Sequence, residues 1–308
     1  MDIIGIDIGG TKCAVALGND RGEILKKVKF PTTDCESTCA RIMEEAANMG
    51  ACEAIGISCG GPLDSKKGVI MSPPNLPGWD NIEIVKMLKD RFEVPVFLKN
   101  DADACALAEW KFGAGVGTQN MIFLTFGTGL GAGLILNGKL YSGACDMAGE
   151  VGHIRLADFG PVGYGKAGSF EGFCSGSGLA QQGRTLALEQ QQMGQKAGFA
   201  DGEITAKTLA DAAGTGDEAA LAVYQQCAGK LGYGLSILID ILNPERIILG
   251  SIFERCEDLL RDEMEKVIQK ECLAPSRKAC KVVAAKLGES IGDMAAICVA
   301  VCGMKGEL

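Results

Sequence analysis

The stretch DIIGIDIGGTKCAVALG, residues 2–18, decides the fold. DIIGIDI (2–8) alternates in the manner of a β-strand, GGTK (9–12) supplies a tight turn, and CAVALG (13–18) leaves as a second strand. NDRG (19–22) then turns the chain into EILKKVKF. Working outward, the pattern predicts a helix over about 34–49, a strand over 53–59, a loop at GGP and a helix near 80–91. VPVFLKN reads as a further strand leading into a helix that opens at about Asp101.

The opening pattern returns at 122–136 as IFLTF, GTGLG and AGLIL, with Ile122 equivalent to Ile4 at an offset of 118 residues. A strand, glycine turn and strand at the start of each half predicts two similar α/β domains. Further helices are expected around 176–192, 205–213, 217–241, 252–272 and 291–302, with strands at 246–250 and near 281–285. No low-complexity linker separates the halves. The expected domains are residues 1–117, completed by a C-terminal helix at 291–308, and a larger domain at 118–290.

The chain has 308 residues, 47% of them apolar and 22% charged, the composition of a folded globular protein. A net charge of -9 repels phosphate backbones and anionic lipid, so neither nucleic acid nor a membrane surface is an expected partner. No membrane-spanning run is visible, and no basic segment leads from Met1 into an apolar one. The 14 cysteines are scattered and make no C-x-x-C; Cys35/Cys39 and Cys298/Cys302 have the spacing of shared helical packing. A cytoplasmic protein is the expectation. The 43 glycines point instead to turns that approach a ligand.

Two such turns carry chemistry. In DIGGTK, backbone N–H groups at Gly9 and Gly10 can cradle phosphate oxygens, while Thr11 and Lys12 add donors. Asp7 would be repelled by phosphate unless a divalent cation lay between them, which implies Mg²⁺. The plainer reading is a hairpin with a polar tip. GTGLGAG (127–133) strengthens the first reading, because two phosphate clamps are what a triphosphate needs. GPVGYGKA (160–167) nearly matches the P-loop spacing, but Ala167 stands where the Mg²⁺-binding hydroxyl belongs. In KNDADACALAEW (99–110), Asp101 could cap a helix or accept a proton from a substrate hydroxyl, and the residues alone leave both open.

These motifs together resemble the ROK sugar kinases (repressor, open reading frame, kinase) of the actin-like ATPase superfamily. The matching stretches are DIGGTK (7–12), GGPLD (60–64), PNLPGW (74–79), NDAD (100–103), FGTGLGAG (126–133), AGEVGH (148–153) and LGESIGDMAA (287–296). The resemblance implies an α/β fold of two actin-like (ribonuclease H-like) domains around a central cleft, a homodimer, and ATP-dependent phosphorylation of a hexose. It makes Asp101 the catalytic base, and Asn100, Glu150, His153 and Glu171 the sugar ligands, with Gly61 in a sugar-contacting loop. Asp7 then helps hold Mg-ATP, Thr11, Lys12, Thr128 and Gly129 contact phosphates, and Gly250 lies by the adenosine. Carboxylates, an amide and an imidazole suit a sugar, whose hydroxyls both donate and accept. Glucose at its 6-hydroxyl is the expected substrate; N-acetylmannosamine, allose and fructose are alternatives, and a non-catalytic sugar-sensing regulator is the reading from another class.

One departure stands out. The family's zinc cysteines follow C-x-C-G-x-x-G-C, but in VGYGKAGSFE (162–171) Val162, Tyr164 and Ser169 occupy their places. Zinc needs thiolates or imidazoles, and Cys174 with His153 cannot make four ligands. His153, the only histidine, is therefore expected to be a sugar ligand without zinc, the other reading being a packed side chain. The loop over 154–170 is expected to be ordered by packing of Phe159, Tyr164 and Phe170.

Overall fold

In the computed structural model, which describes residues 1–288 and 291–308, the opening stretch forms β1 (Asp2–Ile8) and β2 (Lys12–Asn19), followed by β3 (Ile24–Pro31). Asp34 then caps α1 (Cys35–Met49) by accepting the N–H of Ser37. The helix buries Cys39, Ile42, Ala46 and Met49, a stripe at helical spacing. Next come β4 (Ala54–Cys59), a short hairpin of β5 (Leu63–Asp64) and β6 (Val69–Ile70), α2 (Ile84–Phe92), β7 (Val96–Asn100) and α3 (Asp101–Phe112).

The repeat follows as β8 (Met121–Phe126), β9 (Leu130–Leu136) and β10 (Lys139–Leu140). A 3₁₀ turn at Val151–His153 leads to a hairpin of β11 (Val162–Gly163) and β12 (Lys166–Ala167), then α4 (Phe170–Phe173) and α5 (Gly176–Gln192). The chain closes with α6 (Ala206–Gly214), α7 (Glu218–Leu242), β13 (Arg246–Leu249), α8 (Ile252–Glu271), α9 (Ala274–Ala279), β14 (Lys281–Ala284) and α10 (Ile291–Lys305). Glu289 and Ser290 of the LGESIGDMAA motif lie outside the described residues.

The two principal sheets are ordered β3-β2-β1-β4-β7 and β10-β9-β8-β13-β14. Each places a hairpin strand pair beside two later strands in the same order, which bears out the repeat read at Ile4 and Ile122. In the first sheet β2 is antiparallel to β1, whereas β4 and β7 run parallel to β1. Register aligns Ile8 with Cys59 and Cys59 with Asn100, so the carboxyl ends of three parallel strands finish in one row.

Period-2 alternation sends Ile4, Ile6 and Ile8 to one face, into a core with Ile42, Ile55, Ile57 and Trp79. Each such fully buried side chain contributes roughly 1.5–3 kcal/mol. On the other face α10, buried from Ala295 to Cys302, packs against Ile3 and Ala54. That helix lies close because Gly5 and Gly56 have no side chains: a Cβ at Gly56 would overlap the carbonyl of Ala296.

By internal contacts the chain divides into two compact units. The first comprises Met1–Phe123, Gly133–Gly149 and Lys286–Leu308; the second comprises Leu124–Ala132 and Glu150–Ala285. Among the described residues no helix is long and apolar enough to cross a membrane. The cysteines are free thiols, and those of α10, Cys298 and Cys302, are buried.

Candidate active site

In open α/β sheets the carboxyl ends of parallel strands are where ligands are held, and in the first unit the expected residues gather there. Asp7 is the penultimate residue of β1 and aligns with Ser58 of β4. The turn after it is closed by the N–H of Gly9 donating to the carbonyl of Lys12 at 3.2 Å. Thr32 fixes the same turn from β3's end, its hydroxyl donating to the Gly9 carbonyl at 2.6 Å. Thr11 and Lys12 are exposed, free to meet a ligand. Gly10 is a packing requirement as well, since a Cβ there would run into the backbone of Asn75 in the PNLPGW motif. Gly61 is exposed with open space around its Cα, so packing does not demand a glycine at that place.

Asn100 and Asp101 divide their roles. Asn100 is the cap of α3, its Oδ1 accepting the N–H of Asp103 at 2.7 Å. Asp101 is therefore not the cap, which removes the plainer of the two readings of its carboxylate. The cap occupies Asn100 Oδ1 and leaves the amide hydrogens as what that side chain can offer a ligand. Asp101 is exposed at the helix start, yet the protein around it raises its pKa above the ordinary carboxylate range. Water reaches the residue, but the surrounding low dielectric disfavours its charge.

Asp7 is pushed up to about 6, first by burial and then by the negative charges of Asp101 and Asp293; Ser58 and Lys29 act in the opposite direction. Asp293 belongs to the first turn of α10 and forms an ion pair with Lys27. Gly292 brings that turn close, because a Cβ there would stand 3.4 Å from Asp7 Oδ2. Three carboxylates thus share one electrostatic neighbourhood. Asp293 and Asn75 carry no signal of their own within LGESIGDMAA and PNLPGW, since only the tertiary fold brings them to Asp7 and Gly10.

The end of β7 is anchored from beneath by a buried ammonium. Lys99 Nζ donates to the hydroxyls of Ser142 at 3.0 Å and Ser65 at 3.2 Å, with Asp146 at 3.8 Å. Ser142 passes the bond on to Asp103 Oδ2, and Ser65 passes it to Asp146 Oδ1. Burial nevertheless carries Asp103 to about 7, against the pull of Lys99.

In the second unit the remaining residues cluster around the glycine turn after β8. The N–H of Gly176 donates to the Gly127 carbonyl at 2.7 Å, and the Ser177 hydroxyl donates to the Thr128 carbonyl at 2.8 Å. The start of α5 thereby shapes the turn, a contribution that no sequence signal announced. Thr128 is exposed. Glu171 reaches the same turn and accepts the N–H of Leu130 at 3.0 Å; a Cβ at Gly129 would stand 2.8 Å from its Oε2. Phe170 fixes that position by inserting its ring over Gly234 of α7. Gly250 is buried after β13, and its N–H donates to Leu124 of β8 at 3.1 Å.

Glu150 and His153 flank the 3₁₀ turn, joined by the His153 N–H donating to the Glu150 carbonyl at 3.1 Å. Both are exposed, so His153 is not a packed core histidine. The segment that follows is ordered, but not as expected. Phe170 is buried, whereas Phe159 is 87% and Tyr164 78% exposed. Backbone pairing does the ordering instead: Phe170 donates to Ile154 at 2.7 Å, Leu156 to Gly168 at 2.8 Å, and Gly168 to Pro161 at 2.9 Å. Gln181 of α5 clasps Val162, its Oε1 accepting the Val162 N–H at 2.7 Å. Val162 and Tyr164 lie in the β11–β12 hairpin, and Ser169 caps α4 by accepting the N–H of Gly172 at 3.1 Å. GPVGYGKA is thus a hairpin and not a phosphate loop.

Comparison with known proteins gives the family. Residues 3–301 match the model of the ROK family. A glucokinase of Streptomyces coelicolor is 33% identical over 300 residues, covering 94% of each chain. The crystal structure of a ROK family glucokinase from Streptomyces griseus in complex with glucose and AMPPNP superposes with a TM-score of 0.78 at 32% identity, covering 97% of this chain and 99% of that one. The structure of a ROK family transcriptional regulator, a homologue of the E. coli MLC protein, gives a TM-score of 0.85 at 25% identity, covering 97% of this chain and 77% of that one.

Proposed function

The chain belongs to the ROK family, and from that premise we propose that it transfers the γ-phosphoryl group of ATP to a hexose, with glucose at its 6-hydroxyl as the substrate. The observation that carries this reading is the row at the carboxyl edge of the first sheet, where Asp101 is released from capping by Asn100 and raised in pKa beside Asp7. Similarity to glucokinases supports the same chemistry.

In this mechanism Asp101 accepts the proton of the sugar hydroxyl as its oxygen bonds to the γ-phosphorus and the bond to the ADP oxygen breaks. A positioned base of this kind contributes typically ~10²–10⁴-fold. Asn100, Glu150, His153 and Glu171 orient the ring hydroxyls, and Gly61 leaves room for the sugar. Gly9, Gly10, Thr11 and Lys12, with Thr128 and Gly129, receive the phosphates, and Gly250 borders the adenosine.

Among the described residues no cluster of three or more His, Cys, Asp or Glu is arranged to hold a metal. Mg²⁺ does not need one: it takes one or two carboxylates and completes its shell with phosphate oxygens and water. Asp7, its charge opposed by burial, Asp101 and Asp293, is the carboxylate such an ion would neutralise. Bound there, the ion would supply charge stabilisation to the phosphates.

A second reading, a sugar sensor without turnover, draws on the likeness to the ROK regulator. ADP release measured over glucose, N-acetylmannosamine, allose and fructose, beside calorimetric hexose binding, separates the two. Hexose-dependent ADP release supports the kinase; hexose binding with no ADP release supports the sensor.

A further inference from the structure

The two-residue loop of the β11–β12 hairpin is Tyr164–Gly165, with φ of 45° and 75°. Positive φ at both central residues is the pattern of a type I′ turn, whose first place suits asparagine, aspartate or glycine. A tyrosine there is strained, because its Cβ crowds the backbone in the left-handed region. Burial does not compensate, since the residue is 78% exposed. A bulky side chain kept at a strained and solvent-facing position calls for a local reason.

The contact of its ring supplies one. Tyr164 meets the imidazole of His153 edge-on, with centroids 6.3 Å apart and planes at 76°. The hairpin is registered against the histidine by its other residues. Lys166 Nζ donates to the His153 carbonyl at 2.7 Å, and Arg155 donates to the Ala167 carbonyl at 2.7 Å. On the far side Gly163 lies against Glu171, where a Cβ would stand 2.8 Å from that of the glutamate. The hairpin therefore touches two of the expected sugar ligands.

We propose that Tyr164 is a positioning residue that fixes the orientation of the His153 imidazole for hexose binding, so that an aromatic edge performs the orienting task a bound metal would otherwise perform. The inference rests on the reading of His153 as a hexose ligand. An edge-to-face pair falls within the 4.5–7 Å range in which such contacts are favourable, and loss of one should weaken hexose binding about three- to tenfold.

The substitutions to compare are Tyr164→Asn and Tyr164→Phe. Asparagine suits the turn better than tyrosine, so Tyr164→Asn should hold or raise Tm while removing the ring. Because the chain has a single histidine, isotope-labelled histidine gives one set of imidazole NMR resonances. Tyr164→Asn should move those resonances through loss of the ring current and raise the hexose KM about three- to tenfold with kcat little changed. Tyr164→Phe should keep both at wild-type values. Unchanged resonances in Tyr164→Asn, or an unchanged KM, would overturn the proposal. The spectrum reads the contact whether or not a hexose is turned over. Failure of the kinase reading would show separately, as wild-type protein that phosphorylates no hexose.

Discussion

Glu171 accepts the backbone N–H of Leu130 at 3.0 Å, so a carboxylate at the start of α4 holds the glycine turn that follows β8. One side chain thereby links the expected sugar ligands to the expected phosphate turn. Hydrogen bonds to charged groups contribute about 1.5–3 kcal/mol. Glu171→Ala should destabilise the protein by about that amount and raise KM for both ATP and hexose. Glu171→Gln retains an acceptor oxygen, so its stability loss should be smaller and its effect concentrated on hexose. Urea unfolding and steady-state kinetics read the two effects separately.

Asp7 sets a pH dependence whose sign follows from its raised pKa. Well below pH 3.8 its carboxyl is protonated in folded and unfolded chains alike and nothing is lost. As pH rises from the ordinary value of 3.8 towards about 6, the unfolded chain ionises freely while the folded one resists, through burial and the charges of Asp101 and Asp293. Stability therefore falls across that window, by at most about 3 kcal/mol for this residue. Asp7→Asn should show its smallest stability difference from the wild type at the lowest pH, below 3.8, exceed it in stability at pH 7, and lose ATP turnover. Chemical denaturation from about pH 3 to pH 8 checks this; a wild-type and variant difference that does not change with pH would contradict it.

Much of this arrangement was legible in the chain, and the exceptions have physical causes. DIIGIDI and IFLTF alternate strictly enough to mark β1 and β8, and the polar start of α3 follows from Asn100 at a strand end. The short α9 is not legible in the sequence, because a six-residue helix with a proline in its first turn carries no periodic stripe. Of Phe159, Tyr164 and Phe170, the aromatic residues expected to order 154–170, only Phe170 is buried; the rest of that order resides in backbone bonds, which leave no side-chain pattern. Asn75, Ser177 and Asp293 carry no local signal for a related reason: Asn75 meets Gly10, Ser177 meets Thr128 and Asp293 acts on Asp7, and each of these partners is 49 or more residues away along the chain.

The hairpin also bears on zinc. Val162 and Tyr164 offer no metal ligand, and the Ser169 hydroxyl is engaged as the cap of α4. Protein purified without added metal should contain well under one zinc per chain, and EDTA should leave Tm unchanged. Elemental analysis and thermal melts measure both. Stoichiometric zinc that persists through dialysis against chelator would contradict the expectation.

Asp101, freed from capping by Asn100, is the proposed base of an ATP-dependent hexose kinase. Asp101→Asn keeps the size of the side chain and removes its basicity. The most direct test is the rate of hexose-dependent ADP release by wild type and Asp101→Asn, together with hexose affinity for each. In Asp101→Asn kcat should fall by about 10²-fold or more while affinity changes far less. Equal kcat in the two proteins would contradict it.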